Sequence, residues 1–97
     1  MENGKIPEAS FSSLVSFLAT IALQHLGIIK NPISEKVEKD LDLAKYTIDT
    51  LDMLREKTKG NLTKDEESFL INTLADLKLS FVRIKSGESK HTNTNRG

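Results

Sequence analysis

Cysteine is absent from the 97 residues of this chain. That excludes disulfides, thiolate nucleophiles and cysteine-ligated zinc, and it is compatible with a reducing compartment. Aromatics are scarce: Phe11, Phe17, Tyr46, Phe69 and Phe81 are all there are, so a core must be built mostly of Leu and Ile. Charge of one sign is missing too. Fourteen basic and fourteen acidic residues cancel, which removes the basic face that nucleic-acid binding normally needs. No apolar run precedes Phe11, so the start does not predict a signal peptide.

What is present reads as helix. The length suits one domain with a modest core. Residues 1–9 are polar, with Gly4 and Pro7, and are expected to be disordered. Ser10 suits an N-cap, and the helix it opens is expected to stop at Gly27, with Pro32 beyond. At 100° per residue Phe11, Leu14, Val15, Phe17, Leu18, Ile21, Ala22, His25 and Leu26 share one broad face. The opposite side carries Ser12, Ser13, Ser16, Thr20 and Gln24 and no charge.

A connector with the turn dipeptide Asn31-Pro32 follows. The second helix is expected over residues 36–59, where Leu41, Ala44, Ile48 and Leu51 recur and Leu43, Thr47, Leu54 and Thr58 widen the stripe. Acids lead this helix and bases end it, the order that complements its dipole. After Gly60-Asn61-Leu62, the run Thr63-Lys64-Asp65-Glu66 matches a capping box. The third helix is expected over 63–85, with Leu70, Leu74, Leu77, Phe81 and Ile84 as a packing seam and Ile71, Ala75, Leu79 and Val82 as a weaker row. So short a connector predicts that helices two and three form an antiparallel hairpin. Residues 86–97 are too polar to bury anything and are expected to be disordered.

The stretches FSSLVSFLATIALQHLG (from Phe11) and AKYTIDTLDMLREKTKGNLTKDEESFLINTLADLKLSF (from Ala44) resemble a bacterial family of small all-α proteins known only as domain of unknown function eighteen-forty-four. The likeness runs from Phe11 to Val82 and includes no enzyme motif. The resemblance therefore implies no activity.

Candidate chemistry fares poorly on the residues themselves. Asp49, Asp52 and Glu56 share a helical face, but Lys45 and Arg55 are interleaved with them, as on an ordinary solvated surface. His25 has no second ligand at metal-binding spacing, so packing or a contact at the helix C-terminus is the expected role. The serines at 12, 13 and 16 have no adjacent base or oxyanion hole. Lys57-Thr58-Lys59-Gly60-Asn61 lacks the order of a phosphate-binding loop. No catalytic, cofactor or metal residue is assigned.

Phe11 to Ile29 is the unusual segment, because it contains no Asp, Glu, Lys or Arg. It nearly reaches membrane-spanning length but is rich in Ser, Thr and Gln, and it lacks an aromatic belt and basic flanks. Burial on both sides, by its own bundle and by a second chain, accounts for the missing charge. Ser12, Ser16, Ala19, Thr20 and Leu23 are the expected interface. The expected fold is thus an all-α three-helix bundle over residues 10–85, completed by homo-oligomerisation, with a dimer as the expected state. The expected role is that of a small cytoplasmic, non-enzymatic protein that self-associates and docks an unidentified protein partner. The alternative is a peripheral membrane protein that contacts the bilayer through the helix over 11–29.

Overall fold

The computed structural model describes the backbone of residues 6–94 and side chains as far as residue 87. It is all-helical, with no strand among the described residues. Three helices make up the fold: α1 (Phe11–Leu26), α2 (Leu41–Lys57) and α3 (Lys64–Thr94). Each packs against both of the others.

Helix ends are set by local chemistry. Ser10 caps α1, its Oγ accepting from the Ser13 amide at 3.0 Å. Gly27 ends α1 in the left-handed region at φ 83°, and its amide returns to Gln24 O and Leu23 O. A Cβ placed there would lie 3.1 Å from Lys39 Cδ, so both backbone and space favour glycine.

The second helix starts at Leu41, five residues later than the expected position 36. Asp40 is the reason: its Oδ1 accepts from Leu43 N at 3.1 Å, the signature of an N-cap. The Asp40 amide itself donates to His25 O at 2.7 Å, so the start of α2 is clasped to the end of α1. Between them Asn31 organises the connector. Its Oδ1 accepts from the amides of Ile33 and Ser34, and its carbonyl accepts from Glu35, which adopts φ 59°. A side-chain-stabilised turn there replaces the helix that the charge pattern suggested.

The capping box is formed as expected. Glu66 N donates to Thr63 Oγ1 at 3.1 Å, and Thr63 N donates to Glu66 Oε1 at 2.9 Å. Thr63→Ala is expected to cost about 1 kcal/mol and Glu66→Ala less, read from the urea midpoint. An unchanged midpoint in Thr63→Ala would show that the cap contributes nothing.

From Lys64 the helix runs to Thr94 and does not end at Lys85. The stretch from Ser86 was expected to lack structure, yet 86–94 continue the turn. No proline stops it, and a single glycine costs a helix only about 1 kcal/mol. The polarity of this stretch does not forbid a helix; it forbids only burial. Residues 1–5 and 95–97, also expected to be disordered, lie outside the described residues.

Val15, Ala22 and Leu26 from α1 meet Ala44, Ile48 and Leu51 from α2 and Leu70, Leu74 and Leu77 from α3 in one core. The seam read from α3 holds, with Phe81 and Ile84 packed at its edge. Thr47 is the buried polar side chain among these residues, and its hydroxyl donates to Leu43 O at 2.9 Å. Lys78 Nζ reaches Asp52 Oδ2 across α2 and α3 at 2.8 Å.

Candidate interaction surface

The core claims only part of α1. With Val15, Ala22 and Leu26 buried, a rotation of 100° per residue carries Leu14 and Phe17 toward the solvent side. Phe17 is 63% exposed. One helix against two others buries about half its circumference, whereas the apolar arc of α1 is wider than that. The surplus has nowhere to go within the chain.

The five residues expected at an interface divide between two environments. Ala19 and Leu23 pack against the core of their own chain. Ser16 and Thr20 are exposed and Ser12 is half-buried. Thr20 Oγ1 donates back to Ser16 O at 2.9 Å. Two nearby serines are likewise engaged locally: Ser13 Oγ donates to Glu8 O at 2.7 Å and Ser10 Oγ donates to Ser13 Oγ at 2.9 Å. Ser12, Ser13, Ser16, Phe17 and Thr20, with Pro7, line an open depression along this face.

Sequence reasoning missed the neighbouring row on α2. Leu43, Tyr46 and Met53 are exposed, Tyr46 by 69%. Their spacing of three, then seven residues is a helical row, so the signal was available. Leu43, expected to widen the buried stripe, lies instead at that stripe's outer edge. Leu18, Ile21 and His25 of α1 and Leu43, Tyr46, Thr47 and Thr50 of α2 line a groove between the two helices. None of these residues is Asp, Glu, Lys or Arg. Nδ1 of His25 is shielded there and has no hydrogen-bond partner among the described residues.

The remaining candidates are surface. Lys45 Nζ pairs with Asp49 Oδ2 at 2.7 Å, and that hydrogen bond, then the Asp49 charge, holds the Lys45 ammonium above its usual range. With Asp52 paired to Lys78, two of the three acids of this stripe, Asp49 and Asp52, are ion-paired, and no group of metal-ligating side chains occurs among the described residues. A hollow at the connector between α2 and α3 sets Arg55 and Lys59 against Glu56 and Glu67, so neither sign dominates. No helix among the described residues is long and apolar enough to cross a membrane.

No curated protein and no solved structure matches the chain. A family model does match, over residues 8–83, which include all of α1, all of α2 and α3 as far as Arg83. The chain belongs to the family described as Domain of unknown function (DUF1844).

Proposed function

We propose that this protein is a small cytoplasmic, non-enzymatic protein that works by contact: it self-associates, as a dimer, and docks a protein partner. In this reading α2 and α3 form an antiparallel hairpin that α1 closes, leaving the outer side of α1 for the second subunit. The observation that carries the proposal is the exposure of Phe17 on a helix without a single charged side chain. A helix face bathed in water normally carries Lys and Glu. A small three-helix core also gains stability from oligomerisation. Bilayer contact is less favoured, because interfacial helices carry lysine or arginine on their polar side and α1 has none.

Sedimentation equilibrium on the full chain tests this reading. A dimer at micromolar concentration is the expected result, and a monomer at high micromolar concentration would overturn it.

A further inference from the structure

We infer that the groove between α1 and α2 receives Phe17 of a second copy of this chain, in a reciprocal contact across a twofold axis. This rests on the self-association proposed above and adds which face makes the contact, what occupies it and by what chemistry. The groove is lined by Leu18, Ile21, His25, Leu43, Tyr46 and Thr50. Its volume of about 350 Å³ exceeds the roughly 150 Å³ of an apolar cavity that admits benzene. The open groove therefore has room for a phenyl ring. Phe17 is not part of the lining, and it stands exposed on the helix that forms one wall. It precedes Ile21 by four residues, which places it beside the groove and slightly outside it.

A projecting ring and an apolar groove side by side on one face satisfy the condition for an isologous dimer. Each copy offers the feature the other lacks, and the symmetry closes after two subunits. Charge agrees with this. The lining and Phe17 include no Asp, Glu, Lys or Arg, so two identical faces meet without opposing carboxylates, ammonium groups or guanidinium groups, the like-charge opposition that penalises wrong partners. Area agrees as well. At about 200 Å² per ring, Phe17 and Tyr46 alone leave on the order of 250 Å² uncovered. Leu14, Leu43 and Met53, all exposed, extend this toward the several hundred Å² at which an apolar patch marks a contact site.

The other apolar row, Ile71, Leu79 and Val82 on α3, suits a second copy less well. Val82 lines a hollow with Ile48 and Phe81, but Lys45, Asp49 and Lys78 line it too, and a mate seated there would have to desolvate those charges.

The test is sedimentation equilibrium on the full-length wild type and on Phe17→Ala, Tyr46→Lys, Ser16→Arg and Val82→Lys, with circular dichroism on each. All four positions are solvent-exposed, so the fold tolerates the changes and an altered oligomeric state reads the interface. Phe17→Ala and Tyr46→Lys are expected to weaken the dimer by roughly 30-fold or more, the scale of a lost anchor residue, while Val82→Lys leaves it intact. A dimer indifferent to Phe17→Ala and Tyr46→Lys overturns the inference. If Ser16→Arg or Val82→Lys dissociates that dimer, self-association stands on another face. A monomeric wild type that floats with phosphatidylcholine–phosphatidylglycerol vesicles overturns both and assigns the face to a bilayer. A monomeric wild type that does not float overturns both as well.

Discussion

Leu51→Ala is expected to lower the unfolding free energy by roughly 2–5 kcal/mol, the range for truncating a leucine in a packed core. Leu51 has no exposed surface and sits in α2 among core residues from all three helices. Among the described residues only nine apolar side chains are buried. The loss of one leucine therefore removes a large share of the core, and the vacancy costs further dispersion contacts. Leu74→Ala, on the α3 seam, belongs in the same range because it faces the same cluster. Asp49→Ala, two residues from Leu51 in sequence, is expected to stay within about 0.5 kcal/mol. Its partner Lys45 is exposed, and exposed ion pairs contribute little. Urea unfolding followed by circular dichroism measures all three. Equal sensitivity of Leu51 and Asp49 would mean that the facing of α2 has been read wrongly.

A larger effect is expected from Ala22→Asp, which should leave the chain largely unfolded at room temperature. Ala22 has no exposed surface, and it lies one helical turn from Leu26 and two from Val15, both buried with it in the core. Alanine at such a position lets neighbouring helices approach closely, so an added carboxylate finds neither space nor water. An unpaired buried charge typically costs several kcal/mol. Native domains hold only about 5–15 kcal/mol in total, and one this small belongs at the lower end. Thr20→Asp, two residues earlier on the exposed side, should keep the fold. Far-ultraviolet circular dichroism separates the outcomes, and a helical Ala22→Asp protein with an unshifted thermal midpoint would contradict the placement of α1.

Much of the architecture was legible because it is written in local chemistry. Ser10, Gly27, Thr63 and Glu66 act within a few residues of themselves, and their hydrogen bonds form where the sequence places them. The seam of α3 was legible for a related reason: a four-three repeat of Leu and Phe leaves one direction for the core. Errors arose where two local signals competed. Acids from Glu38 onward suggested an early start to α2, but the Asn31 turn and the Asp40 cap hold residues 31–40 out of the helix. In the polar stretch after Lys85, composition argued against burial, and that was extended to an argument against helix. Those are separate properties, since a helix satisfies its backbone with or without a partner.

Sequence alone determined that the chain is helical, that Ser10, Gly27 and Thr63 are caps and that α1 carries no Asp, Glu, Lys or Arg, because periodicity, local capping and composition need no partner to be read. Only the tertiary structure decided how the apolar arc of α1 is shared out. Ala19 and Leu23 are partly buried against the core of their own chain, while Phe17, expected inside, is left exposed. The physical reason is angular. A helix with apolar residues around more than half its circumference leaves several rotations with similar hydrophobic gain. The choice among them falls to the packing of the core that Ala22 shares with Ala44 and Leu51 of α2 and with the leucines of α3, which no single helix contains.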